Sequence, residues 1–218
     1  MKKCLCLFTV SILLLTGLNA QRMDPVLKFS NKYYRSNPFT TTFGTFLEHV
    51  MNDPDLKNVK KQLRTDTSLF VFNGTYTNYN PFDFKPSRVD VALVEQNVQL
   101  YVDRPEGDTI MLFVLIAFAD STAKGAEELK KEYSKIQRRS DRWFLDRKEE
   151  DITEANVTGM SSNYFVDYAQ VSPVSVEWVL GLTKVPILRL TMRIRSRGNE
   201  AVIPASLYDS SVPSDRSQ

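Results

Sequence analysis

IMLFVLIAFA, residues Ile110–Ala119, is a run of ten apolar residues without a polar break, and the rest of the fold has to cover it. Gly107-Asp108-Thr109 precedes the run and Asp120-Ser121-Thr122 follows it, so turn residues bound both ends. Ten residues cannot cross a bilayer as a helix, which needs about 20. A short apolar run between turns is typical of a strand buried on both faces, and the Phe, Val and Ile content favours strand over buried helix. We therefore predict a strand in the middle of a sheet.

The segment directly after this strand predicts a long helix over Ala123–Arg139. Its apolar residues Ala126, Leu129, Tyr133 and Ile136 recur at spacings of three and four, which places them on one helical face. Acidic residues come early in the segment and basic residues late, an order that complements the helix dipole. An amphipathic helix of this kind lies on one face of a sheet and keeps its other side in water.

Two shorter helices are predicted nearer the N-terminus. Thr42–Met51 carries its apolar residues on one helical face. Asp53-Pro54 then has the residue types that begin a second helix, with a thin apolar stripe running from Leu56 to Leu63. Residues 21–38 are polar and irregular in pattern, and we predict a partly ordered lead-in there.

The remaining segments predict strands, together with the loops between them and a C-terminal tail. Asn73-Gly74 is expected to form a bulge or the start of a turn, residues 77–87 a loop, and residues 204–218 a mobile tail. A change of parity around Glu95-Gln96-Asn97 is expected to mark a bulge or a tight hairpin. β-Branched and aromatic content or period-two alternation predicts strands over Thr67–Tyr76, Arg88–Asp103, Tyr164–Val171, Val174–Leu182 and Val185–Arg197.

This order of elements predicts the fold class. Helices come first, then strands, one long helix and strands again, without the regular alternation of a doubly wound fold and without a visible internal repeat. We predict an α+β protein: a mainly antiparallel, twisted sheet with the N-terminal helices and the long amphipathic helix packed on one face. Residues 21–65 would hold the lead-in and N-terminal helices, and residues 66–203 the core domain.

Residues 1–20 have the layout of a secretory signal peptide. Lys2-Lys3 precede the apolar run Leu5–Leu15, and Ala20 ends a plausible cleavage site. Both cysteines, Cys4 and Cys6, lie inside this leader, so the chain after it has neither disulfides nor thiol chemistry. We therefore expect an exported bacterial protein, periplasmic or secreted, without stable membrane insertion after cleavage.

The charge balance after the leader argues against a nucleic-acid partner. The chain has 28 basic and 26 acidic residues, and residues 1–20 contain two lysines and no acid, which leaves 26 of each. Proteins that follow a nucleic-acid backbone usually carry a basic excess.

Few residues point to chemistry. His49 is the single histidine and is expected to be a surface residue, and we predict neither a bound metal nor a cofactor. The nucleophile-elbow and phosphate-binding glycine motifs are absent from the sequence. A carboxylate pair could still serve a hydrolase, although solvated acids and helix caps are the simpler interpretation of the candidates: Asp83, Asp90, Asp103, Asp120 and Asp167.

Two groups of residues are predicted to bind a partner. Aromatic residues interleaved with amides suit protein interfaces and can stack on sugars, unless the loop folds back onto the core. A cationic strand face can dock an acidic partner, or pair with acids on the neighbouring strand. The aromatic group is Tyr76, Tyr79, Phe82 and Phe84, and the arginine group is Arg189, Arg193 and Arg195.

These features predict a non-enzymatic exported protein that acts through protein–protein contacts, such as a soluble subunit of a cell-envelope assembly or secretion apparatus. A periplasmic module that binds a glycan or another small ligand through the aromatic loop, residues 76–84, is the first alternative. A hydrolase that uses carboxylates is the second.

Overall fold

The computed structural model describes residues 24–39, 41, 43–60, 68–98, 108–154, 157–166, 171–181 and 185–195. The predicted signal peptide, the predicted C-terminal tail, Asp103 and Asp167 lie outside these ranges. Within them, no helix is both long enough and apolar enough to span a membrane.

Within the described residues, eight strands form one antiparallel sheet in the order β1-β2-β3-β4-β8-β7-β6-β5, accompanied by three helices. The predicted α+β class with a mainly antiparallel sheet is confirmed. The elements are α1 (Pro25–Tyr33), α2 (Phe43–Met51), β1 (Leu56–Lys60), β2 (Ser68–Tyr76), β3 (Arg88–Val98), β4 (Asp108–Phe118), α3 (Ala123–Ser140), β5 (Asp146–Glu154), β6 (Val157–Phe165), β7 (Val174–Leu180) and β8 (Pro186–Arg195).

Strand β4 lies in the middle of the sheet, as its sequence predicts, with β3 on one side and β8 on the other. Alternate side chains, from Met111 to Ala117, are at most 1% exposed. Of the opposite parity, Ile110 and Val114 are buried, whereas Leu112, Ile116 and Phe118 are half-buried. The prediction of burial on both faces is therefore confirmed for one face and only in part for the other.

The sheet consists of two halves with the same topology. Strands β1–β4 form one antiparallel meander and β5–β8 form another, and a helix precedes each meander, α2 the first and α3 the second. The halves meet where β4 pairs with β8, in a register centred on Val114 and Thr191.

Side chains from the helical segments contact one parity of the strands, which we call the core face. Tyr34, directly after α1, packs its ring 4.9 Å from that of Phe113, and Phe46 of α2 lies 5.0 Å from the same ring. In the second half, the hydroxyl of Tyr133 in α3 lies 2.8 Å from that of Ser162 in β6. Buried side chains from Val26 to Ile194 belong to one hydrophobic cluster.

The predictions for the N-terminal region need two corrections. The predicted lead-in contains α1, which begins at an N-cap: the side chain of Asp24 accepts a hydrogen bond of 2.7 Å from the backbone N–H of Val26. The predicted second helix is the strand β1 instead. Asp53 accepts from the backbone N–H of Asp55 at 3.0 Å, so it closes a turn that leads into a strand rather than capping a helix.

The parity change near residue 94 also has a different cause from the one predicted. Strand β3 continues to Val98, and its pairing with β4 shows no shift. The irregularity lies in β2, between Phe70 and Phe72, so the extra residue belongs to the neighbouring strand. Asn73 and Gly74 lie within β2 and do not form a turn; they pair regularly with β3, whereas the register shift between Lys57 and Lys60 of β1 lies opposite them.

In the second half, the predicted strands Val174–Leu182 and Val185–Arg197 correspond to β7 and β8. The predicted strand Tyr164–Val171 coincides with β6, Val157–Phe165, only at its first two residues, and residues 167–170 lie outside the described ranges. Strand β5 was not predicted at all. It is an exposed edge strand of mostly charged residues, so it lacks the apolar alternation by which strands are recognised.

Candidate interaction surface

The sheet face opposite the core face carries most of the sheet's polar side chains, and we call it the open face. One row of paired residues crosses seven strands of this face. From β2 to β5 it consists of Thr75, Asp90, Ile116, Arg189, Glu177, Ser161 and Glu150.

A groove of about 860 Å³ lies on the second half of the open face. Strands β5–β8 and the end of β4 line it. Its apolar side chains include Phe118, Ile152, Val179 and Ile187, and its polar side chains include Ser161, Asn163, Glu177, Arg189 and Arg193.

Arg189 and Glu177 form an ion pair in the groove. Arg189 Nη1 lies 3.1 Å from Glu177 Oε2, with 40% and 17% of the two side chains exposed. Ser161 donates to the other oxygen of Glu177 at 3.4 Å, and Asn163 donates to Ser161 at 3.4 Å. Of the two interpretations of the arginine face, pairing with an acid on the neighbouring strand therefore holds for Arg189. A guanidinium has five N–H donors, so the pair still offers both donors and acceptors to a ligand.

Arg193 has a different environment from Arg189. Its Nη1 donates to the carbonyl of Ser172 at 3.1 Å and to the hydroxyl of Ser175 at 3.4 Å. Burial lowers the pKa of Arg193, because leaving water disfavours its charged form. These hydrogen bonds link Arg193 of β8 to Ser172, just before β7, and to Ser175 within β7. Arg195 pairs with Ile110 through the backbone, and its side chain is outside what the structure describes.

The aromatic group lies in the core and not on an exposed surface. Tyr76, Phe82 and Phe84 are 6%, 6% and 9% exposed. Tyr79 packs against the same cluster, and its hydroxyl donates to the carbonyl of Tyr33 at 3.0 Å. The expectation of an exposed aromatic contact surface is corrected accordingly. The loop folds back against the first half, because packing its large rings there removes their apolar area from water.

The other candidate residues occupy separate places. His49 is exposed, as predicted. Asp83 pairs with Lys135 at 3.4 Å, Asp90 pairs with Arg88 at 3.0 Å, and Asp120 is exposed. Among the described residues, no group of three or more His, Cys, Asp or Glu side chains is arranged to hold a metal ion.

The sequence analysis did not single out Glu177, Ser161 or Asn163. The alternation in β7 places Ser175 and Glu177 opposite to Val174 and Val176, and this was the available signal for Glu177. Ser161 and Asn163 lie on the strand whose range was mispredicted. Comparison of the chain with protein-family models, curated proteins and solved structures gave no match.

Proposed function

We propose that this chain is a non-enzymatic exported protein that binds another protein of the cell envelope through the groove on its open face. In this proposal the three helices cover only the core face, so the open face of β5–β8 stays available to a partner. The observation that carries the proposal is the groove itself, in which half-buried apolar side chains lie beside the Arg189–Glu177 pair.

The composition of the groove supports a protein partner. Phe118 and Ile187 are half-buried, and the guanidinium of Arg88 stacks 3.9 Å from the centre of the Phe118 ring. Interfaces combine an apolar centre with a polar rim and are enriched in aromatic residues and arginine. The partner would place apolar side chains near Ile187 and polar groups near Arg189 and Glu177.

Site-specific photo-cross-linking tests this proposal. A photoreactive residue at position 187 should capture one defined protein from envelope extracts of the native host, whereas the same residue at position 124 on α3 should not. Arg189→Leu should abolish the capture, because the partner loses a hydrogen-bonding group in the groove. Equal capture from both positions, or capture that survives Arg189→Leu, would count against the groove as the binding site.

The size of the groove favours a second candidate function, the binding of a glycan or another small ligand. A volume of about 860 Å³ lies within the range of about 300–1,000 Å³ that is usual for small-molecule sites. The paired Arg189 and Glu177 could donate to and accept from sugar hydroxyls. A glycan array would separate the two functions, since glycan binding that Arg189→Leu removes would favour this candidate.

A further inference from the structure

Among the residues that the structure describes, strand β5 leaves one regular edge of the sheet unpaired. It is the last strand in the sheet order, and it pairs with β6 over nine residues without a shift of register. The opposite edge, β1, is five residues long, has a register shift between Lys57 and Lys60, and contains Asn58 with a φ of 54°. Irregular edges resist the addition of a further strand, whereas a long regular edge is a template for one.

Strand β5 also has a charge that selects its partner. It contains five acidic and two basic residues. Its two basic side chains are already paired within the chain, Arg147 with Asp141 at 2.6 Å and Lys148 with Glu150 at 2.8 Å. Two copies of β5 side by side would bring together two strands that each carry a net charge of −3, from two basic and five acidic residues, which like-charge repulsion disfavours. The same charges would attract a basic strand.

The two faces of β5 differ in chemistry. Glu149 and Asp151 share the parity of the core face, because they pair with Ser162 and Met160 of β6. Ile152 has the opposite parity and is one of the residues that line the groove. Glu150 has the same parity as Ile152, so a strand added beside β5 would meet carboxylates on both faces and, at the rim of the groove, the apolar side chain of Ile152.

We propose that β5 receives an extended, basic segment of the protein partner as a ninth strand. Main-chain hydrogen bonds to the free edge would supply affinity, and lysine or arginine at alternate positions beside Glu149 and Asp151 would supply specificity. The intervening residue of the segment that lies beside Ile152 would be apolar. This inference rests on the proposed protein-binding function and specifies how the partner enters the groove.

Hydrogen exchange with a synthetic probe tests the inference. The probe is a nine-residue peptide in which lysine and valine alternate, and the matched control is the same peptide with N-methylated amides along one edge. The probe should slow exchange of the outward-facing amides of β5, and the N-methylated peptide should not, because it lacks the main-chain donors. Absence of protection in β5, or equal protection by both peptides, would overturn the inference.

Charge variants provide the second measurement. Asp151→Lys should weaken peptide binding roughly tenfold, because an attractive pair becomes a repulsive one. Glu48→Lys on the exposed face of α2 gives the same change in net charge and should leave binding unchanged. An equal loss in both variants would show only a general charge effect and would overturn the assignment to β5.

The outcomes also separate this inference from the proposed function. Protection of β5 that rises with protein concentration in the absence of peptide would identify a second copy of the chain as the occupant, and would overturn a basic partner strand. If photo-cross-linking from position 187 captures a partner while the Lys-Val probe leaves β5 unprotected, the groove is a binding site but the strand addition is wrong. If the probe protects β5 and position 187 captures nothing, the proposed use of the groove fails.

Discussion

The two central strands, β4 and β8, occupy equivalent positions in the two halves of the sheet, yet their open faces differ. Their pairing is centred on Val114 and Thr191, so positions at the same offset from these two residues are equivalent in the two halves. Leu112, two residues before Val114, is therefore equivalent to Arg189, two residues before Thr191. Ile116 corresponds in the same way to Arg193. The core-face residues of both strands are apolar and buried. The core therefore places the same demand on both halves, and the open face is where the second half is free to carry binding groups.

The strongest test of this shared demand is removal of a large core side chain from each half. Phe113→Ala should cost about 3–5 kcal/mol of unfolding free energy, and Leu190→Ala at the equivalent position of β8 about 2–5 kcal/mol. Both side chains are at most 1% exposed. Leu145→Ala is the control, since 73% of Leu145 is exposed and its loss should change stability by less than about 0.5 kcal/mol. Urea unfolding measures all three, and a small loss at only one of the core positions would break the equivalence of the halves.

A glycine in each half provides a second, smaller contrast. A Cβ atom at Gly159 would lie 2.2 Å from the backbone oxygen of Trp178, so β6 or β7 would have to move. A Cβ atom at Gly74 would lie 2.8 Å from the Cδ1 atom of Leu56, a flexible side-chain end that can shift. Gly159→Ala should therefore cost about 1–3 kcal/mol, and Gly74→Ala less than about 1 kcal/mol. Thermal unfolding of the two variants would decide, and a larger loss for Gly74→Ala would contradict this account.

Glu132 tests the contact between α3 and the aromatic loop, residues 76–84. Its side chain is almost fully buried, and one carboxylate oxygen accepts from the backbone N–H of Asp83 at 3.2 Å. Its other oxygen lies 3.8 Å from Lys135 Nζ and has no hydrogen-bond partner among the residues that the structure describes. Burial is the main cause that raises the pKa of Glu132, and the charge of Asp83 also raises it. The hydrogen bond from the Asp83 backbone and the charges of Lys135 and Arg139 oppose the shift.

A carboxyl with a raised pKa in the folded state lowers stability when it is ionised, and this penalty disappears as pH falls through its folded pKa. Glu132→Gln keeps the acceptor for Asp83 and removes the buried charge. It should raise the unfolding free energy at pH 7 by on the order of 1 kcal/mol or less. The difference from the unsubstituted protein should shrink towards pH 4. A variant that is less stable than the parent at pH 7 would show that the attraction of ionised Glu132 to Lys135 and Arg139 outweighs the cost of burying its charge.

Only a small effect on stability is expected at the residue with the largest proposed effect on binding. Arg189→Leu gives β8 a side chain of the same type as Leu112 at the equivalent position of β4. The Arg189–Glu177 pair is partly exposed, so its loss should change the unfolding free energy by no more than about 1 kcal/mol. A loss of more than about 2 kcal/mol would mean that the ion pair is part of the fold rather than of a binding surface.

The sequence predicts those elements whose pattern follows from burial. β4 is an unbroken apolar run, α3 has an apolar stripe, and β8 alternates between Leu, Met or Ile and polar residues, and all three are present. The edges were harder to predict. β1 and β5 bury few side chains, so their strand conformation comes from pairing with β2 and β6, which local pattern does not record.

The candidate site was predicted only in part for a related reason. Period two places Arg189 and Arg193 on one face of β8. The difference between their environments depends on residues outside β8. Arg189 forms an ion pair with Glu177 and stays partly exposed in the groove, whereas Arg193 donates hydrogen bonds to Ser172 and Ser175. The inward position of Phe82 and Phe84 likewise depends on the core of the first half, since aromatic spacing in a loop is compatible with either direction.

The hydroxyl of Tyr34 reaches the carbonyl oxygen of Phe113 at 3.2 Å and that of Leu190 at 2.9 Å, one from each half. Burial raises the pKa of Tyr34 well above its ordinary value, so this hydroxyl keeps its proton in mildly alkaline solution. The two meanders thus share a fixed point at their junction in addition to the β4–β8 ladder. The molecule should melt cooperatively, as a single unit, and neither meander should persist alone once the other has come apart.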